Sequence, residues 1–385
     1  MSKKINVLYY TSTSDSVGSS YILRLLSKLA VSLELRIITN KPNFFQPSHN
    51  VKIIDVNVNN IRNVLIRKYC FYIKVSLQQI KNKSDINFAF HDSAPALLFL
   101  VTKAKNIIFF HQAHDLCVRW SFSPGNLFGL LKILNKRLVC RAMKKAEKVI
   151  CVSPMLANYA VSLGIRAEKL TIIPHGIEPS NYLPSFIAKN QFKVVIPEKS
   201  FIVLYAGWIN ENRGLSEIID SLELISKTGK KIFYLIIGFE KQLLDEYNTI
   251  LKRKGLDANS LLLGRVDAKY IPFLIDKAHI CLSLLSNKMK TYRLSPPQKI
   301  MEYFALGKPV IANRIETHEY LIEDGYNGII IDSLDSVALS EAIFKVHEDK
   351  ELLKKLSVGA LVSSKKYNIN DQVRLIEQII KKLMQ

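Results

Sequence analysis

Short runs of branched and aromatic apolar residues recur along this chain, and a helix-length amphipathic stretch follows most of them. "KINVLYY", "LRIIT", "VKIIDV", "INFAFH", "NIIFFH" and "KVICVS" mark the first half, closed by "KLTIIPHG". After a polar, proline-bearing stretch at 176–200 the pattern restarts with "FIVLYAGW", "IFYLIIGF", "LLLGRV", "HICLSLL" and "GIIID". Strands apolar on both faces that alternate with helices belong to parallel sheets covered on both sides. At 385 residues the chain is long for one core and suits two. The predicted class is therefore α/β, with two doubly wound, Rossmann-like domains at 1–183 and 184–368 facing a central cleft. The amphipathic "DQVRLIEQIIKKL" predicts a C-terminal helix within 369–385 that packs back towards the first domain. Ligands of such folds sit outside the carboxyl ends of the strands.

Other classes are excluded by what the chain carries. The apolar run at the N-terminus, Ile5 to Tyr10, is too short for a signal-peptide core and reads as a buried strand. The longest apolar run, Ala94–Val101, is far below the roughly 20 residues that span a bilayer. Five cysteines, odd in number and with no C-x-x-C pair, predict neither disulfides nor a metal site and a reducing cytoplasm.

Charge is distributed unevenly. The net +21 is held mostly by residues 1–185, with 25 Lys/Arg against 9 Asp/Glu; residues 186–385 hold 29 against 24. A positive first domain suits anionic lipid or a phosphorylated acceptor, and a compositional bias of the genome is the alternative. No zinc-finger spacing, RNP-like motif or Gly-rich basic tail points to nucleic acid. Two basic amphipathic stretches, Asn60–Lys83 and Asn126–Lys148, read either as interfacial helices or as surface helices with snorkelling lysines.

One stretch carries chemistry most densely: "LSPPQKIMEYFALGKPVIANR", Leu294–Arg314. Ser295 reads as an N-cap, Pro296 as a first-turn residue, and Gly307 as a left-handed stop before the buried strand at Pro309–Ala312. Local rules leave unexplained a carboxylate, Glu302, among Ile300, Met301, Tyr303 and Phe304.

With the second domain laid out, the chain resembles a retaining GT-B glycosyltransferase of the glycosyltransferase family 4 kind. The resemblance rests on Ala146–Pro184, on "VLYAGWINENRG" (Val203–Gly214), and on "SPPQKIMEYFALGKPVIAN" with "EDGYNGIIID". It implies that Glu302 accepts hydrogen bonds from the ribose hydroxyls of a nucleotide-sugar, and that Arg213 serves the diphosphate. It implies that Gly18 lies in the loop after the first strand, where backbone approaches the donor phosphate. Pro296 and Pro297 remove two N–H groups, so Lys299, with Ser295 at the helix start, is expected to supply the missing donor. A histidine near His111 or His114, just after "NIIFF", is expected to contact a sugar hydroxyl or shuttle a proton, with His111 preferred; His91 in "HDS" reads as structural.

The chain also departs from the family. Leu294 stands where a sugar-contacting Glu is common, and Trp208 where an Arg is common after the strand glycine. The resemblance implies transfer of a sugar from a nucleotide-diphosphate donor to a glycan or polyprenyl-linked acceptor, without cofactor or metal. No Asp-x-Asp or His/Cys cluster has ligand spacing. A peripheral location on the inner face of the plasma membrane follows from the basic first domain. A non-catalytic GT-B binding or assembly protein, which the two departures permit, is one alternative, and a GT-B sugar-nucleotide epimerase is another.

Overall fold

A computed structural model describes residues 4–10, 17–45, 49–81, 84–99, 104–111 and 127–385. The chain divides into two compact units, Met1–His175 with Ile369–Gln385, and Gly176–Asn368.

The first unit begins with β1 (Lys4–Tyr9), α1 (Val17–Leu29), β2 (Glu34–Thr39), β3 (Val51–Asp55), α2 (Val64–Lys81) and β4 (Ile86–Phe90). It continues with β5 (Lys105–Phe110), α3 (Leu127–Lys145), β6 (Lys148–Cys151), α4 (Pro154–Ser162) and β7 (Leu170–Ile172). The strands form one parallel sheet in the order β3-β2-β1-β4-β5-β6-β7, so the winding reverses between β1 and β4. β4 is buried throughout and β5 over its last four residues, which explains their unbroken apolar sequences.

The second unit holds α5 (Pro184–Lys189), β8 (Phe201–Ala206), α6 (Leu215–Ser226), β9 (Ile232–Ile237), α7 (Lys241–Lys254), β10 (Ser260–Leu263) and α8 (Ile271–Lys277). Then come β11 (Ile280–Ser283), α9 (Lys290–Leu294), α10 (Gln298–Ala305), β12 (Val310–Asn313), α11 (Glu316–Leu321), β13 (Gly328–Ile331), α12 (Ser336–Glu348) and α13 (Lys350–Ser364). Its parallel sheet runs β10-β9-β8-β11-β12-β13, reversing between β8 and β11. Two apolar clusters cover the two faces, one around Tyr234, Ile236 and Leu282, the other around Leu235, Ile300 and Phe304. Strand residues alternate between the clusters, as the pleat requires.

α14 (Ile369–Met384) returns to the first unit, where the Tyr21 hydroxyl of α1 donates to Gln372 Oε1 at 3.0 Å. Residues 176–200, the polar, proline-bearing stretch between the two sets of strands, belong to the second unit. Ile177 is buried and its N–H donates to Tyr367 O at 2.7 Å, while Phe192, Val194 and Ile196 pack on the core. Phe192, Val194 and Ile196 alternate with exposed residues, yet the segment forms no strand and packs as extended chain.

The start of α10 differs from the sequence expectation. Ser295 does not cap it; its N–H closes α9 by donating to Thr291 O at 3.1 Å, and α10 begins only at Gln298. A residue preceding proline is driven out of the helical region, and the tandem prolines apply this twice. Ser295 is accordingly extended at φ −113°, ψ 107°, and Pro297 flanks the helix at φ −71°, ψ 118°. Gly307 takes the left-handed conformation, φ 63°, and β12 is fully buried, both as expected. Gly18 is the second residue of α1 rather than a loop residue. Cys70, Cys140, Cys151 and Cys281 are free thiols; Cys117 lies outside the described residues.

Candidate functional site

At the reversal point of the second sheet the strands part. β8 and β11 pair only as far as Leu204 and Cys281, leaving the ladder groups of Ala206 without a strand partner on that side. The Tyr303 hydroxyl fills the gap, accepting from Ala206 N at 2.8 Å and donating to Ala206 O at 3.1 Å. This bond pair ties α10 to the end of β8 and explains a tyrosine within an apolar helix face. Burial pushes its phenol well above its ordinary pKa.

A second side chain makes the same kind of repair beyond β11. Asn313, at the end of β12, accepts from Leu285 N and donates to Leu285 O, both at 2.9 Å. Its own carbonyl faces His318 Nδ1 at 2.7 Å, and His318 Nε2 lies 3.0 Å from Ser283 Oγ. A carbonyl only accepts, so Nδ1 carries the proton. Burial holds the His318 pKa down at about 3, the ring is neutral, and Nε2 accepts from the Ser283 hydroxyl.

The loops that follow β8 and β11 are bound to each other. Ser286 N–H donates to Asn212 O at 2.9 Å. Gly214 is left-handed at φ 74°, and a Cβ there would lie 2.6 Å from Leu284 Cβ, so only glycine allows this approach. Arg213 lies with its guanidinium carbon 5.8 Å from the Trp208 ring centre and 5.2 Å from that of Tyr292. Across from it, Lys299 Nζ sits 3.6 Å above the Tyr205 ring. Lys299 as a residue is partly exposed, but its nitrogen is sealed and has no hydrogen-bond partner. Burial first, and then the charge of Arg213, lower its pKa well below the usual lysine value.

Five buried polar atoms in these segments lack hydrogen-bond partners: Asn210 Oδ1, Arg213 Nε, Glu217 Oε2, Thr291 Oγ1 and Lys299 Nζ. Buried groups are normally paired, and such a concentration at a sheet's reversal point marks a place shaped for a ligand. The arrangement offers two cations set in aromatic rings, suited to an anion, and Glu302 one turn along α10 from Lys299, half-buried and suited to hydroxyl donors. Leu294 is buried, and Trp208 is 51% exposed over Arg213.

The first unit presents a different constellation at its carboxyl edge. His111 follows β5 directly and is buried, its ring stacked on Phe109 and 4.8 Å from His91. Burial first, then the charge of His91, hold its pKa well below the ordinary value, so the ring is a neutral hydrogen-bonding group. His91 Nε2 lies 3.1 Å from Asp92 Oδ1, which also meets Lys68 Nζ at 3.3 Å. The Tyr10 N–H, directly after β1, donates to Ser93 Oγ at 2.9 Å. His175, after β7, is buried with its edge against Tyr21, its pKa pressed by burial to about 3. His114 lies outside the described residues.

Of the residues expected to serve the site, Arg213, Lys299 and Glu302 come together at the second unit's reversal point, whereas Gly18 and His111 belong to the first unit. Tyr205, Tyr292, Tyr303, Asn313 and His318 were not expected. Tyrosines inside apolar runs, and Asn313 directly after a buried strand, are the signals that mark them.

Comparison with known proteins bears on this geometry. The family model described as Glycosyltransferase Family 4 matches residues 18–181, and the one described as Glycosyl transferases group 1 matches residues 186–361. Among curated relatives, the chain is 23% identical over 262 residues to the alpha-galactosylglucosyldiacylglycerol synthase of Streptococcus pneumoniae, covering 64% of this chain and 66% of that one. The match thus spans just under two thirds of that relative's length. Among solved structures, sucrose-phosphate synthase from Thermosynechococcus elongatus superposes with a TM-score of 0.77 at 16% identity, over 99% of both chains. Anabaena HepE, in complex with UDP-glucose, superposes with a TM-score of 0.73 at 17% identity, over 99% of this chain and 100% of that one. These structures share the GT-B fold with this chain, as expected.

Proposed function

The chain belongs to the glycosyltransferase family 4, glycosyl transferases group 1, kind, and on that premise we propose that it moves a sugar from a nucleotide-diphosphate donor to a hydroxyl of a glycan or lipid-linked acceptor. The observation that carries this reading is the pair of cations, Arg213 and Lys299, held against aromatic rings with Arg213 Nε and Lys299 Nζ buried without hydrogen-bond partners, and Glu302 one helical turn from Lys299. The diphosphate meets the two cations and the ribose hydroxyls meet Glu302. The glycolipid product named for the Streptococcus relative and the UDP-glucose bound by HepE support both halves of the substrate class.

Transfer proceeds with retention. The bond between the anomeric carbon and the leaving phosphate oxygen breaks as Lys299 and Arg213 neutralise the growing charge. The acceptor oxygen bonds to the same face of that carbon, and its proton passes to the leaving phosphate. Preorganised cations account for most of such a rate enhancement. Two fixed cations at the diphosphate take the part that a divalent ion would otherwise play, so the reaction needs neither metal nor cofactor. Neutral His111 orients a sugar hydroxyl by hydrogen bonding rather than by charge.

A second reading is favoured by Leu294, whose buried side chain cannot hydrogen-bond a sugar where the family commonly has a carboxylate. On that reading the chain binds the nucleotide without turnover. Incubation with radiolabelled nucleotide-sugars, a lipid-linked acceptor extract and EDTA separates the readings. Acceptor-dependent, EDTA-resistant incorporation supports transfer, nucleotide binding without incorporation supports the second reading, and acceptor-independent turnover indicates an epimerase.

A further inference from the structure

The helices α2 and α3 span 37 residues with ten Lys or Arg and no Asp or Glu. Their side chains divide sharply. On α2, Ile66, Ile73 and Leu77 are 46–57% exposed and lie on one stripe, spaced seven and four residues apart. On α3 a single exposed stripe runs Leu130, Leu134, Arg137, Arg141 and Lys144, apolar at its first end and cationic at its last. Beside it Ile133, Lys136, Arg137, Cys140, Arg141 and Lys144 line a groove of about 430 Å³.

The two stripes form one surface. The Tyr69 hydroxyl donates to Leu131 O at 3.0 Å, and the Tyr72 hydroxyl meets Asn135 Oδ1 at 2.9 Å. A step of three on one helix matches a step of four on the other, so the helices run side by side in the same direction. With 3.6 residues per turn, each contact lies about a quarter to a third of a turn from its helix's exposed stripe, on opposite sides. Both stripes therefore face outward together. No helix among the described residues is long and apolar enough to cross a membrane.

We infer that the α2/α3 face seats the protein on an anionic bilayer surface, with the aliphatic side chains at the acyl boundary and Arg137, Arg141, Lys144 and Lys145 among lipid phosphates. Charge complementarity selects this occupant. A second copy would bring the same cations against themselves, with no carboxylate on either helix to relieve them. The inference deepens the transfer reading by giving a lipid-linked acceptor a surface to be met on. It is tested without nucleotide or acceptor, so the two stand or fall separately.

The experiment is sedimentation of the full chain with phosphatidylcholine vesicles and with vesicles rich in phosphatidylglycerol. The expected result is at least about tenfold stronger binding to the anionic vesicles at about 0.1 M salt, lost by about 1 M. Arg137→Glu/Arg141→Glu should weaken it about tenfold, and Ile73→Ser/Leu77→Ser/Leu130→Ser by a similar factor. All five positions are exposed, and unchanged melting temperatures check that the variants fold. Equal binding to both vesicle types, variants that bind as the parent does, or a dimer in solution that the serine variant abolishes would each overturn the inference.

Discussion

Lys299 Nζ rests 3.6 Å above the ring of Tyr205, a buried ammonium held by a π face and by no hydrogen bond. Burial and Arg213 lower its pKa. Its folded pKa thus lies below its unfolded one, and the charged form costs stability until an anion arrives. The site resembles a preloaded contact whose cost the donor phosphate offsets.

Lys299→Met should therefore separate stability from function. Removing a buried, unbonded cation should raise the melting temperature by a few degrees, at about 2–4 °C per kcal/mol for a unit of this size. Loss of its contact to the leaving phosphate should lower kcat about 10²–10³-fold. Calorimetric unfolding and a transfer assay on one preparation check both. A variant both less stable and fully active would contradict the assignment.

Tyr303→Phe deletes one oxygen and leaves Ala206 N–H and C=O unpaired at the parting of β8 and β11. The expected loss is about 1–3 kcal/mol of stability, with a raised KM for the donor because α10 is no longer tied to β8. Urea unfolding and donor kinetics measure the two effects, and an unchanged KM would disconnect the tie from the site.

Trp208 and Trp120 are the two tryptophans of the chain, so in a Trp120→Phe background Trp208 alone reports. Because Trp208 covers Arg213, nucleotide binding at that guanidinium should change its emission. Arg213→Ala should abolish the saturable response. An identical titration curve in that variant would put the nucleotide elsewhere.

His318 and His175 are each held neutral, with pKa values lowered by burial to about 3. Unfolded histidines bind protons below pH about 6.5, so the unfolded state gains protons first as pH falls. Stability should therefore decline from pH about 6.5 downward, by up to about 1.4 kcal/mol per pH unit for each histidine. Thermal unfolding of the parent and of His318→Gln from neutral to mildly acid pH tests the sign. The variant should show the shallower slope, and equal slopes would mean that His318 does not couple to folding.

The sequence displays the fold far better than the site, for physical reasons that particular residues make plain. Strands such as Ile232–Ile237 are buried on both faces, so their unbroken apolar runs announce them without reference to anything distant. The left-handed stop at Gly307 is equally local. The start of α10 is also governed locally, but by the rule that a proline restricts its predecessor, which outweighs the capping preference of Ser295. Tyr303 and Asn313 satisfy backbone groups 97 and 28 residues away, and no periodicity encodes such a pairing. His91 stands one residue past β4, as His111 stands past β5, and only the parallel pairing of those strands brings the rings together.

The most direct test of the donor site is a thermal-shift screen of the parent and Glu302→Ala against UDP, GDP, ADP and their sugar conjugates. A ligand that binds only the folded state at 100 times its Kd stabilises it by about 2.7 kcal/mol. The account predicts that one nucleotide family raises the parent's melting temperature by several degrees and that Glu302→Ala loses most of that shift. A shift of equal size in both proteins, or none in the parent with any nucleotide, would contradict a donor seated between Arg213, Lys299 and Glu302.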